Sequence, residues 1–299
     1  MAVTYTSTIS YAIMDVYSKE IMFAAQPILR FDQFSTKRTE LGVQPGLTIK
    51  FLKYTNLTAG GALTETVALD PQALAGSQES VTVTEYGKAI SVSELMLRSS
   101  FDDVMASASR LLGFDYAKVL DTVYRDVLLT GSSVKYAGDR AARKDIAAGD
   151  NFDTKLVKDG AEALAIADTP QVGGVNWICF VHPHQGRTIR DDSSWISANQ
   201  YAGSVAIFAG EIGLYEDTRF IETTQVKKLL AGVTPNQSPV DVYQAVMIGD
   251  SAYAHAIALP VEMRDNGIED FGRKHSLAWY SIMGAGLINS DRIVRLESN

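Results

Sequence analysis

TAGGALTETVALDPQALAGSQES, residues 58–80, contains no aromatic side chain and no lysine. It lies between LTIKFLKYTNL (47–57), where Ile49, Phe51 and Leu57 alternate over part of the length with Lys50 and Lys53, and VTVTEYGKAISVSE (81–94), where Val81, Val83 and Glu85 alternate with Thr82 and Thr84. Two-residue alternation on both sides predicts two strands. A connection this long and this poor in core-forming residues is uncommon inside a compact domain. The segment therefore reads as an extended two-stranded ribbon with a flexible tip. An isolated ribbon is marginal in water, so its expected support is a neighbouring molecule.

The next stretch, DDVMASASRLLGFDYAKVLDTVYRDVLLTG (102–131), is the clearest helix in the chain. Val104, Ala108, Leu112, Tyr116, Val119 and Val123 recur at three- and four-residue steps and define one face. Asp102 is the expected cap and Gly131 the terminator. Over 103–130 the helix would be roughly 40 Å long at about 1.5 Å per residue. Gly113 in its middle permits a bend. Upstream of the ribbon, Ile13, Val16, Tyr17, Ile21 and Ala24 predict a short amphipathic helix ended by Pro27, an arm too small to be its own domain.

Downstream, residues 132–153 read as a loop and Thr154–Asp168 as a second helix. VNWICFVHP (175–183) reads as a buried strand, followed by a helix near Gln185–Asp192. IFAGEIGLYEDTRFIET (207–223) carries strand signals broken by glycine. VYQAVMIGDSAYAHAIAL (242–259) reads as a buried strand running into a small-residue helix. The strand–helix alternation from 154 to 259 suggests one α/β lobe. KHSLAWYSIMGAGLINSDRIVRLES (274–298) predicts two strands joined by a bend at the Gly-Ala-Gly break.

A chain of 299 residues exceeds the size at which one core usually keeps growing, so two or more lobes are expected. Hydrophobic residues at 46% supply ample core material. A net charge of −8 argues against tight nucleic-acid binding, which draws on clustered cations, and no basic cluster exceeds two residues, as in Lys37-Arg38 and Lys227-Lys228. Cys179 is the sole cysteine, so no internal disulfide forms, which suits a reducing cytoplasm. The first twenty residues lack the pattern of a signal peptide. The apolar segment 277–288 is too short to span a bilayer.

Candidate chemistry concentrates in WICFVHPHQGRTIRDD (177–192), where His182 and His184 stand two apart beside Asp191 and Asp192. An H-x-H pair can hold zinc, but Pro183 marks a strand end and no third ligand stands at a matching spacing. Gly284-Ala285-Gly286 lacks the further glycine and helix start of a dinucleotide fingerprint. The glycines in Thr58–Ala62 lack the lysine of a phosphate cradle. Cys179 sits in an apolar run, where thiols are inert. The pair Asp102-Asp103 fits helix capping, and no G-x-S-x-G elbow occurs. Glu211, between Gly210 and Gly213, suggests a fixed carboxylate in an intersubunit salt bridge. No catalytic, cofactor or metal site is expected, and the chain does not read as an enzyme.

Taken in order, the arm, the ribbon returning through Glu85-Tyr86-Gly87, the helix ending DTVYRDVLLTG, His182-Pro183 with Gln185, Arg190-Asp191, and Gly210-Glu211-Ile212-Gly213 with Arg219-Phe220 resemble a tailed-phage major capsid protein. The similarity is to the coliphage N-four-like coat proteins with the Hong Kong 97-type fold, and it spans nearly the whole chain. It implies an α+β fold with an N-terminal arm (1–41), an extended loop (42–92), a peripheral domain (93–150) carrying a spine helix (103–130), an axial domain (151–261) and peripheral return strands (262–299). Glu65, Asp70, Glu85, Arg98, Glu211 and Arg219 are the expected intersubunit contacts.

The resemblance further implies hexamers and pentamers closing into an icosahedral virion shell, assembled in the bacterial host cytoplasm around double-stranded DNA that is not bound specifically. No membrane is involved. A decoration protein, a separate scaffolding protein and a portal are compatible partners. The founding member crosslinks its shell through a lysine of the extended loop, yet residues 56–80 hold none, so noncovalent stabilisation is expected. Two rival readings are an encapsulin-like nanocompartment shell and a soluble α/β enzyme.

Overall fold

The computed structural model describes residues 29–38, 47–62, 71–99, 103–196, 211–232 and 238–299. The arm helix expected near residues 13–24 lies outside them, as do Glu65, Asp70 and Asp102. In chain order the elements are β1 (Thr36–Arg38), β2 (Thr48–Tyr54), β3 (Gly76–Thr82), β4 (Thr84–Ser93), α1 (Glu94–Ser99) and α2 (Val104–Leu128). β5 (Ser133–Tyr136), α3 (Thr154–Ile166), β6 (Trp177–Val181) and α4 (Pro183–Arg190) follow. The chain continues through β7 (Glu211–Tyr215), β8 (Thr218–Glu222), β9 (Lys227–Leu229), β10 (Val242–Ile248), β11 (Tyr253–Glu269), β12 (Lys274–Leu287) and β13 (Ile293–Ser298).

Three sheets organise these strands. β2 and β3 form the ribbon, antiparallel from Thr48↔Thr82 to Tyr54↔Gly76. A four-stranded sheet runs β1-β11-β12-β4. A seven-stranded sheet runs β5-β13-β10-β6-β8-β7, with β9 also on β10. β10 is buried along its whole length, as expected for a central strand covered on both faces.

Helix α2 is continuous through Gly113, which is buried. It starts one residue later than expected, because Asp103 rather than Asp102 is the cap: its carboxylate accepts the Met105 and Ala106 N–H groups at 3.1 Å. This helix covers the four-stranded sheet through Leu112, packed with Met263, Leu277 and Trp279. Its C-terminal half, through Leu120, Tyr124 and Leu128, joins Phe180, Val246 and Ile293 of the seven-stranded sheet in a second core. A third core, including Leu156, Leu164, Phe220 and Met247, lies beneath α3.

Several expectations change. Residues 253–259 form the start of β11 rather than a helix; Ala254 and Ala256 are buried between β1 and β12, and pairing on both edges overrides alanine's helical preference. Ser251, at φ 52°, makes the turn that separates β10 from β11. Segment 132–153 is not wholly loop, since β5 pairs in parallel with β13. Gly-Ala-Gly is not a bend: β12 runs straight through it, and the chain breaks at 288–292.

Sheet membership also cuts across the expected domain limits. β4, placed with the extended loop, is hydrogen-bonded to β12 over its full length. β5 and β13, placed in the peripheral parts, belong to the seven-stranded sheet with β10 and β6. Strands distant in sequence pair here because each completes a buried sheet edge, which local pattern cannot report.

Candidate assembly interface

The ribbon is rooted on its own subunit. Ile49 and Val81 are buried with Val83 and Ala256. Where the ribbon passes over β12, a Cβ on Gly284 would stand 2.3 Å from the Thr82 carbonyl oxygen, and one on Gly286 would stand 2.5 Å from Val81 Cγ2. The Gly-Ala-Gly motif is therefore a saddle that lets two backbones cross closely, a structural use of absent side chains. Lys53 Nζ reaches Asn289 Oδ1 at 2.9 Å and Asp291 Oδ2 at 3.7 Å, tying the ribbon to the turn before β13. Beyond that root, Leu52, Tyr54, Leu57 and Leu74 are 57–67% exposed.

The arm is held by a polar clasp. Phe31 is buried against Phe180 with ring centroids 4.3 Å apart. The Asp121 carboxylate, fully buried on α2, accepts the Arg30 N–H at 3.2 Å. Tyr253 donates to the Phe31 carbonyl, Tyr124 donates to Asp32 at 2.7 Å, and Lys37 pairs with Asp32 at 2.5 Å. His255 stands beside them with neither ring nitrogen hydrogen-bonded among the described residues.

Burial pushes the Asp121 carboxyl up to about 7, with the nearby Asp32 charge adding and the Arg30 and Phe31 N–H groups opposing. Burial likewise lowers His255 to about 4; Asp32 opposes this and Lys37 reinforces it. The two groups have opposite linkage signs. Asp121, raised when folded, imposes a penalty that is absent below about pH 4 and complete above about 7. His255, depressed when folded, contributes stability above about 6.5 that is lost as pH falls through about 4. Acidification from 7 to 4 thus relieves one and burdens the other. Asp121→Asn removes the relief, so thermal melts across this range should show the variant losing more stability on acidification than the parent. Parallel melting curves would contradict the assignment.

His182 caps α4, and its ring and that of His184 face Tyr243. His182 Nδ1 accepts the His184 N–H at 3.1 Å, while Gln185 Oε1 accepts the His182 N–H at 3.1 Å, a reciprocal cap at the start of α4. Both imidazoles lie against Tyr243, at 4.6 and 5.0 Å between ring centroids. Asp192 accepts the Thr154 hydroxyl at 2.6 Å, joining α3 to the end of α4. Among the described residues no group of three or more His, Cys, Asp or Glu could hold a metal ion. Cys179 is fully buried and its thiol is pushed far up by that burial.

The expected contact residues are distributed rather than gathered. Arg219 donates to Glu211 at 2.7 Å and to Asn176 at 2.9 Å, and only 1% of the Glu211 side chain is exposed. Both are engaged within the chain. Arg98 pairs with Glu94 one helical turn away at 2.7 Å, both at the surface. Glu85 is exposed on β4, where its charge helps to raise the neighbouring Tyr280 hydroxyl pKa behind the larger effect of burial.

Sequence reasoning passed over Glu297. Fully buried on β13, it accepts two bonds from Arg143 at 2.6 Å, one from Gln244 at 2.7 Å, and lies 2.8 Å from Arg295. The readable signal was a carboxylate inside an apolar strand, IVRLES. Asp121, set between Leu120 and Tyr124 on the buried helix face, carried the same signal.

Asp32, Lys37 and His255 line one cleft beside the arm, where Asp32 is already engaged by Lys37 and Tyr124. The described residues as a whole build a rooted ribbon and arm around two sheets. The model of the phage capsid protein family matches residues 77–296, most of the chain. This chain belongs to the phage capsid protein family. Among curated proteins no sequence matches it.

Solved phage capsid structures share the fold at low identity. The capsid protein of Ralstonia phage GP4 superposes with a TM-score of 0.75 at 14% identity, covering 91% of both chains. That of cyanophage P-SCSP1u gives 0.70 at 14%, covering 91% of this chain and 88% of its own. The mature capsid of bacteriophage PhiM1 gives 0.66 at 16%, covering 91% and 87%. The phage capsid protein described here has the mixed α+β Hong Kong 97-type fold. It is the major capsid protein of a phage head, a structural component of the virion and not an enzyme.

Proposed function

We propose that the protein forms hexamers and pentamers of an icosahedral shell enclosing double-stranded DNA, with ribbon and arm laid over neighbouring copies. The observation that carries this reading is the ribbon: rooted by Ile49 and Val81, it presents Leu52, Tyr54, Leu57 and Leu74 uncovered by the chain's own described residues. Exposed apolar surface on this scale marks an interaction site. Head-to-tail contacts of one copy with the next close into rings when the rotation allows. Multiple modest contacts then reinforce one another through effective concentration.

The finer assignments are part of the same proposal. The chain falls with the coliphage N-four-like coat proteins, supported by the motif order noted above. The arm, extended loop, peripheral domain and axial domain take the ranges stated above, with β4, β5 and β13 pairing across them. Glu65, Asp70, Glu85 and Arg98 contact neighbours, while Glu211 and Arg219 stiffen the β7–β8 hairpin that presents such a contact. The acidic balance lets packaged DNA move along the lining without sticking. Assembly takes place in the bacterial host cytoplasm, with a separate scaffolding protein, a portal and a decoration protein as partners.

Sedimentation of the purified protein tests the reading. Capsomers or shells are expected, with no ladder of covalent multimers after boiling in denaturant. A monomer that stays unassembled even with its phage-encoded scaffold would contradict it.

A further inference from the structure

The β11–β12 hairpin ends in Asp270-Phe271-Gly272, three consecutive residues with positive φ of 51°, 55° and 92°. Phe271 is 105% exposed, more than in an extended reference chain. A bulky residue in the left-handed region is an outlier, and such strain persists where the surrounding structure imposes it and concentrates at functional sites. Here the turn holds an aromatic ring in water at the tip of two long strands. Ile268, beside it, is 74% exposed. No described element of the chain covers the ring.

The same molecule carries an apolar counterpart among the described residues. A cleft of 460 Å³ opens between β4, α1 and the first turns of α2, walled by Ile90, Val92, Met96, Val104, Ala108 and Leu111. Met96 and Leu111 are each more than half exposed, as is neighbouring Leu95. Glu269 and Asp270 are exposed beside the ring, Asp270 3.8 Å from Arg273, and Arg98 and Arg110 are exposed on the helices that bound the cleft, Arg98 paired with Glu94, so exchange of these surface pairs would cross the contact.

We propose that Phe271 of one copy seats in the β4–α1–α2 cleft of a second copy, with Glu269 and Asp270 meeting Arg98 and Arg110. The inference rests on the shell-building reading and adds a specific contact to it. A knob and a socket at different places on one chain make a heterologous contact, which propagates from copy to copy instead of ending at a pair. A buried aromatic anchor in an apolar pocket is also the arrangement that dominates interface energetics.

Paired cysteines test the contact, because Cys179 is fully buried and gives no background. Phe271→Cys and Ser107→Cys, the latter in the cleft wall, are combined in one chain and oxidised, both in particles and in concentrated unassembled protein. A reducible ladder of dimers and higher multimers in either sample is expected, with neither single variant producing one. Phe271→Ser should melt like the parent, since the ring supports nothing in its own chain, and should lower particle yield at least tenfold. Particles that form without any ladder would overturn the socket while leaving the capsid reading intact. A ladder from Phe271→Cys alone would show that tips meet tips, and would overturn it too. Failure of the parent to assemble, with no ladder at high concentration, counts against both.

Discussion

Glu297→Ala should cost about 3–5 kcal/mol, as removal of one partner from a buried ion pair does. The change removes the carboxylate that accepts from Arg143 and Gln244 and that lies 2.8 Å from Arg295. Those groups come from three places: the segment after β5, the last strand β13, and the central strand β10. Glu297 is thus a polar rivet between β13, β10 and the segment after β5. Domains of ordinary stability have only about 5–15 kcal/mol in total, so the variant should accumulate poorly and unfold at a much lower urea concentration. Glu297→Gln keeps an acceptor and removes the charge, and should fall between. A urea midpoint for Glu297→Ala within error of the parent would contradict the role.

Gly284→Val has the second large effect, and it acts on the ribbon instead of the sheet. Its Cβ would collide with the Thr82 carbonyl oxygen, a backbone atom that cannot rotate away. Overpacking of this kind costs about 1–3 kcal/mol, and relief comes only by lifting the ribbon off β12. Amide exchange at Val81–Val83 should accelerate at least tenfold, and shell yield should fall in parallel. Gly60→Ala is the control, since nothing lies within 4 Å of its new carbon. Unchanged exchange and yield in Gly284→Val would remove the saddle from the account.

The two features that decided the fold were readable because their signals are local. Alternation in 47–57 marked the first ribbon strand, whereas the return strand is Gly76–Thr82, inside the stretch read as the tip, and most of 81–94 joined the four-stranded sheet. Three- and four-residue spacing with a terminal glycine marked α2. Failures came where distant chain decides. AYAHAIAL has the composition of a helix and became strand because β1 and β12 pair on both its edges. Gly284-Ala285-Gly286 looked like a break because its function, admitting the ribbon, depends on residues two hundred positions away. His182 drew attention as a ligand, yet its Nδ1 accepts the N–H two residues on as a helix cap. Glu211 and Arg219 were selected separately, and the β7–β8 pairing brings them together. Phe271 carried no sequence signal, since its exposure follows from the turn geometry.

The central claim is that a ribbon rooted on its own subunit binds a neighbour and so closes a shell. Electron cryomicroscopy of assembled particles at side-chain resolution tests it most directly. Five- and six-membered rings should appear, with Leu52, Tyr54 and Leu57 of each ribbon covered by an adjacent copy. A closed particle in which those side chains face solvent, with every ribbon lying only on its own chain, would contradict the account.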